Sequence, residues 1–183
     1  QPSGSGTEND PYLIANLENL YWMTENSGEW DKYYIQTSNI DASSTNAWDN
    51  GQGFTPLGNY STKFTGSYDG SGYTINELTI NRPSTNYTGL FGYTNGSTIK
   101  DLGVINVNIG GADRTGGLAG LIESTTINNC YTTGNITGTR HVGGLVGMVD
   151  SSSTVNHCYS TGSVTGSGND VGGLVGYNKF SSV

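Results

Sequence analysis

Residues 143–162 read GGLVGMVDSSSTVNHCYSTG, and twenty-seven positions earlier residues 116–134 read GGLAGLIESTTINNCYTTG. Glycines, threonines and a cysteine return in the same order, so one structural unit is written twice. Working outward, the unit recurs in both directions. Thr98, Thr126 and Thr154 are spaced by 28, as are Ile99, Ile127 and Val155, and as are Leu102, Cys130 and Cys158. The phrases GLFG from Gly89, GGLAG from Gly116, GGLVG from Gly143 and GGLVG from Gly172 keep nearly that interval. Slips of one or two residues are expected in the loops at 112–115, 139–142 and 167–171. A weaker copy, GYTINELTI at 72–80, carries the skeleton of STIKDLGV at 97–104 with an offset of 24, as if the period drifts near one end.

A unit of this length with no helical periodicity fits a propeller blade or a β-solenoid coil. A blade needs four strands and about 40 residues or more, so the unit is too short for one. A coil of about three short strands fits. Coils stack ~4.8 Å apart, and a side chain that points inward in one coil must point inward and match in size in the next. The expected fold is therefore all-β, a right-handed parallel β-helix of about 28-residue coils. Its inward columns are Leu90, Leu118, Leu145 and Leu174, then Ile99, Ile127 and Val155, then Leu102, Cys130 and Cys158. The Ile and Cys positions are three apart, which breaks strand alternation and places a bend at Asn128-Asn129 and Asn156-His157, where Asn accepts left-handed φ. The paired glycines supply either positive φ or close backbone approach at another corner.

The first 70 residues depart from the repeat. Asn16 is placed to N-cap a short helix at 17–23 with Leu17, Leu20 and Tyr21 on one face. Such a helix protects the open edge of the first coil. YYIQ at 33–36 and FTGSY at 64–68 read as the first irregular strands. The chain thus divides into a cap with irregular coils (1–70) and the repeats (71–183), one continuous domain.

Composition agrees. The chain is 12% charged and 33% hydrophobic, with 29 Gly and 12 Tyr, which disfavours helices. Its net charge of −8 with 7 Lys and Arg offers no basic stripe, which argues against nucleic acid as a partner. No run approaches the ~18 apolar residues of a membrane span, so membrane insertion is not expected. Sequons occur at Asn59, Asn86, Asn95 and Asn135, candidate N-glycosylation sites in an exported protein.

The phrases GGLVG, STVNHCYSTGSVTG and TTINNCYTTGNITG resemble the GLUG-motif repeats of bacterial and archaeal surface proteins, among them adhesin-like proteins and the non-catalytic parts of immunoglobulin A proteases. GSGTENDPYLI, NLENL and FTGSYDGSGYTI resemble the segment that precedes such repeats. The resemblance covers nearly all of the chain and implies an extracellular or cell-surface β-helix. The first repeat departs from it, with Leu102-Gly103 where its neighbours have Cys-Tyr.

Chemistry is sparse. Cys130 and Cys158 are equivalent positions, readable as a column of free thiols or as a disulfide. With His157 they make too few converging ligands for zinc. Asp69-Gly70-Ser71-Gly72 and Asp49-Asn50-Gly51 lack the alternating carboxylates of a calcium loop and read as turns. Neither metal nor cofactor is expected. Glycoside hydrolysis requires two carboxylates facing a cleft, yet Asp101, Asp113, Glu123, Asp150 and Asp170 fall at different phases of the repeat. Arg114 and Arg140 read as solvated loop charges. Trp22, Trp30 and Trp48 form either a glycan platform or the core of the cap. The Thr columns suit an ordered hydroxyl surface or merely a solvated strand face. The expected function is a non-catalytic structural or adhesive module whose partners are copies of itself, flanking repeats or surface glycans. The alternatives are a subunit stacking end to end into a filament and a glycan-binding or glycan-cleaving β-helix.

Overall fold

The computed structural model describes residues 1–183. It is a parallel β-solenoid with one α-helix, Leu17–Glu25, near its N-terminus. Each regular coil contributes one strand to each of four parallel sheets. The first sheet stacks Tyr12–Ile14, Tyr33–Gln36, Ser67–Asp69, Thr98–Lys100, Thr126–Asn128 and Thr154–Asn156. The second stacks Phe91–Asn95, Ala119–Glu123, Val146–Asp150 and Val175–Lys179. The third contains Gly103–Gly110, Tyr131–Gly138 and Tyr159–Gly166, extended by Thr74–Asn76 and Ile40–Asp41. The fourth is short: Asp113–Gly116, Arg140–Gly143 and Val171–Gly172.

Register makes the expected columns. Ile99, Ile127 and Val155 pair in line, and the same column runs on through Tyr68, Tyr34 and Tyr12. Leu90, Leu118 and Leu145 are fully buried, and Leu174 is partly buried against the same core. Leu102 and Cys130 are buried, with Cys158 half-buried beside them. Aromatic side chains fill the N-terminal end, where Tyr34, Phe54, Phe64, Tyr68 and Phe91 are all buried. Aliphatic ones fill the repeats. A bulky ring occupies one level fully, so Phe91 stacks on Ala119 in the next coil.

Three corners of each coil turn on left-handed residues, one per corner except at Ser151 and Ser152, which are both left-handed. One corner uses Tyr87, Arg114, His141 and Asp170, a second Gly96, Ser124, Ser151 and Phe180, and a third Asp101, Asn129 and His157. The third is the bend expected from the Asn pairs. Side-chain contacts support it: Asn129 Nδ2 donates to Asp101 Oδ1 at 2.6 Å. The paired glycines are not left-handed. Their role is close approach, since a Cβ on Gly117 would lie 2.6 Å from Gly144 O.

Several sequence expectations change. Residues 72–80 do not align with 97–104: Tyr68 pairs with Ile99, and Ile75 pairs with Val104 on the third sheet. The turn at Ser71 and Gly72, both at positive φ, carries Thr74–Asn76 past the corner before it pairs. The period therefore does not shrink to 24. One slip does fall at 167–170, between Gly138↔Gly166 and Val142↔Val171. Another lies inside a strand, at the bulge where left-handed Asn106 shifts the pairing between Thr132 and Gly134. No slip separates 112–115 from 139–142, because Asp113↔Arg140 and Thr115↔Val142 keep one offset.

The helix is capped as expected, Asn16 Oδ1 accepting from Asn19 N at 3.0 Å. Its buried residues are Leu20 and Met23 rather than Leu17 and Tyr21. Tyr21 turns outward, 48% exposed, to meet a loop from further along the chain. No helix is long and apolar enough to cross a membrane.

Candidate functional site

The outward turn of Tyr21 builds an open cleft on the cap. Tyr21 meets Trp48 at a ring-centroid distance of 5.2 Å and an interplanar angle of 76°, so the two rings form the walls of a corner. Phe54 backs Trp48 at 6.3 Å. Thr24 and Glu25 of the helix and Asp49 and Thr55 of the loop complete the lining.

One arginine fixes that loop. Arg82 donates to Asp49 Oδ2 at 2.8 Å, Gln52 Oε1 at 3.1 Å, Gly53 O at 3.2 Å, Phe54 O at 3.2 Å and Thr55 Oγ1 at 3.1 Å. Its side chain is only 12% exposed. Asp49, Asn50 and Gly51 are consecutively left-handed, with φ of 47°, 54° and 84°. Backbone strain of this kind persists where the surroundings over-determine it.

The three tryptophans do not gather on one surface. Trp30 is buried with its Nε1 donating to Met23 O at 2.8 Å. Trp22 packs edge-on to Tyr12, centroids 5.2 Å apart. Trp48 faces a cleft, and its partner there is Tyr21, which the sequence placed on one helix face with Leu17 and Leu20.

The charges that the repeat spaces out in sequence are brought together by the fourth sheet. Asp113 accepts from Arg114 Nη1 at 2.6 Å and Arg140 Nη2 at 3.1 Å, and its Oδ1 lies 2.9 Å from His141 Nδ1. His141 Nε2 in turn lies 3.2 Å from Asp170 Oδ2 on the next coil. Burial opposes ionisation of Asp113, but the Arg140 hydrogen bond and the Arg114, Arg140 and His141 charges hold its carboxyl below the ordinary value. Arg114 is thus no solvated loop charge. It lies over the Tyr87 ring at 5.2 Å, and its Nε reaches Met148 Sδ at 3.4 Å.

The carboxylates Glu123 and Asp150 do share a phase, contrary to the sequence reading: they pair directly on neighbouring coils. Their column runs from Asn95 to Lys179. Asn95 Nδ2 donates to Glu123 Oε2 at 3.2 Å, and Lys179 Nζ lies 3.4 Å from Asp150 Oδ2. The slip at Ser152, where Glu123↔Asp150 gives way to Thr126↔Thr154, hid this pairing from spacing alone.

The cysteines are free. Cys130 N donates to Cys158 Sγ at 3.4 Å. The hydrogen bond from the Cys130 side chain draws the Cys158 thiol down to about 7, against its burial, while the same contact and burial push Cys130 up. His157 points outward, its Nδ1 3.2 Å from Asn128 Oδ1. No group of three metal-ligating side chains converges.

Among the sequons, Asn59, Asn86 and Asn135 are exposed and Asn95 is half-buried on Glu123. Asn59 Oδ1 closes a turn by accepting from Ser61 N and Thr62 N at 2.9 and 3.0 Å. Thr98, Thr126 and Thr154 stack in register, as do Thr133 with Thr161 and Thr137 with Thr165.

No family model matches the sequence. The chain is 41% identical over 160 residues to halomucin of Haloquadratum walsbyi, an alignment covering 82% of this chain and 2% of halomucin. It is 37% identical over 90 residues to a protein of Evansella cellulosilytica named as a Gly-rich membrane protein, covering 49% of this chain and 10% of that one. It is 32% identical over 149 residues to the immunoglobulin A1 protease of Streptococcus sanguinis, covering 79% of this chain and 8% of the protease. The chain therefore spans at most a tenth of the length of these relatives. A crystal structure from Bacteroides ovatus, described as an immunoglobulin A1 protease, superposes with a TM-score of 0.70 at 19% identity, over 98% of this chain and 65% of that one. This chain is a parallel β-solenoid, similar in sequence to a short stretch of halomucin and in fold to the Bacteroides ovatus protein.

Proposed function

We propose that this chain is a stretch of GLUG-type solenoid at a microbial surface, a non-catalytic structural or adhesive module. The observation that carries the reading is the state of its interior: no buried side-chain nitrogen or oxygen lacks a partner. Fully paired buried polar groups are what a closely stacked scaffold requires. Glu123 and Asp150, the one stacked carboxylate pair, are held by Asn95 and Lys179.

The comparisons support the same reading. Stretches like this one form a small fraction of proteins named as a halomucin, a membrane protein and a protease. A module common to such different proteins serves what they share, display outside the cell, rather than the activity of one.

The test uses the purified chain in two assays. Small-angle scattering of a variant with residues 116–142 duplicated is expected to show a rod longer by ~4.8 Å, the spacing of one coil. Incubation of the parent chain with immunoglobulin A1 is expected to leave the antibody intact. Cleavage of the antibody, or a duplicated variant that does not lengthen, overturns the reading. Light scattering of the same sample separates a monomeric segment from an end-to-end assembly.

A further inference from the structure

The corner between Tyr21 and Trp48 is a built site that solenoid stacking does not require. Tyr34, Phe64 and Tyr68 of the cap pack inside the core, with centroids 6.0 and 6.4 Å apart. The Tyr21–Trp48 corner opens outward, with Tyr21 half-exposed and Trp48 partly so. The sequence commits costly features to it: three consecutive left-handed residues and a single Arg82 that satisfies five partners at once. Gly53 is required as well, since its φ of +80° excludes most side chains.

We propose that this corner binds a neutral saccharide. A pyranose has an apolar C–H face, which lies against an aromatic ring, and a rim of hydroxyls that both donate and accept. Two rings meeting at 76° offer that face a wall and a floor. Around them stand acceptors and hydroxyls of the matching kind: the carboxylates of Glu25 and Asp49 and the hydroxyls of Thr24 and Thr55. A few placed polar groups beside an apolar wall are the make-up of a small-molecule site.

The charges select among ligands. Glu25, Asp49 and a net charge of −8 disfavour an acidic sugar. Arg82, 2.8 Å from Asp49, neutralises that carboxylate and disfavours a cationic ligand, which would otherwise suit rings beside carboxylates. Preorganisation by Arg82 means that little ordering cost remains when a ligand docks. The site is independent of the proposed role of the coils, so either can fail without the other.

The test titrates cello-, malto-, laminari-, manno- and N-acetylchito-oligosaccharides at millimolar concentration into the full chain. The readouts are the Trp48 indole N–H and Tyr21 ring resonances. At least one neutral oligosaccharide is expected to shift both saturably. Tyr21→Ala, at an exposed position that leaves the core intact, is expected to weaken that binding about tenfold or more, ~1.4 kcal/mol. Trp48→Leu is expected to abolish it, with the melting temperature monitored to separate loss of the ring from loss of fold. Oligogalacturonate and tetramethylammonium serve as acidic and cationic probes. The proposal is overturned if no neutral oligosaccharide shifts Trp48, if binding survives Tyr21→Ala undiminished, or if either charged probe is the tighter ligand.

Discussion

Asp113 Oδ1 and His141 Nδ1 lie 2.9 Å apart on neighbouring coils, and the same histidine reaches Asp170 on the coil beyond. One ring thus ties three successive levels of the solenoid at a corner where the backbone is left-handed at Arg114, His141 and Asp170. Local conformation and long-range charge pairing are set by the same residues.

The depressed Asp113 carboxyl makes this corner sensitive to acid. A carboxyl whose folded value lies below its unfolded one stabilises the fold above the unfolded value and loses that contribution as pH falls through the folded one. The stabilisation is therefore intact above the ordinary value of 3.8 and disappears below it. Asp113→Asn is expected to lower stability at neutral pH by about 1–2 kcal/mol and to flatten the dependence below pH 3.8. Urea midpoints measured across the acid range check both; an unchanged acid slope would remove Asp113 from the account.

Cys158 and Cys130 are expected to react very differently. With the Cys158 thiol at about 7, its alkylation rate rises to half its plateau near neutral pH. Cys130, buried and pushed up, stays unmodified in the folded chain. Peptide mass spectrometry after a timed iodoacetamide pulse distinguishes the two, and equal labelling would mean that the coil opens on that timescale.

Ile127→Ala opens the longest inward column between Ile99 and Val155, where Ile127 is fully buried. The expected loss is about 2–5 kcal/mol, because coils above and below cannot collapse into the space without breaking register. Thr126→Ala, on the exposed side of the same strand, is expected to change stability by less than about 0.5 kcal/mol. Chemical denaturation of the pair reads the difference.

Gly117→Ala tests the close-approach role of the paired glycines. The added methyl meets Gly144 O at 2.6 Å and Thr132 Cβ at 3.0 Å, so a cost of about 1–3 kcal/mol is expected. Gly28→Ala meets nothing within 4 Å and is expected to leave the melting temperature unchanged or slightly raised. Equal effects of the two would refute the steric explanation.

Much of the architecture was legible because stacking imposes a local rule on sequence. A column position has the same neighbours in every coil, so Ile99, Ile127 and Val155 announce one another through spacing alone, and the Asn128-Asn129 pair marks its own corner. The rule weakens where the chain slips. Ser152 shifts the register by one residue, which concealed the Glu123–Asp150 pairing, and the turn at Ser71 and Gly72 carried residues 72–80 out of the expected alignment.

The site was less legible than the coils, for a related reason. The sequence by itself determined the parallel solenoid, its inward columns, the left-handed Asn corner and the capped helix, since each rests on neighbours at fixed spacing. Tertiary structure alone decided that Trp30 is buried while Trp48 meets Tyr21, that Arg82 gathers a loop some thirty residues away, and that His141 links Asp113 and Asp170 across three coils. These contacts join segments that share no period. They depend on how a non-repeating cap folds back on the first coils, where side-chain packing in three dimensions chooses the partners.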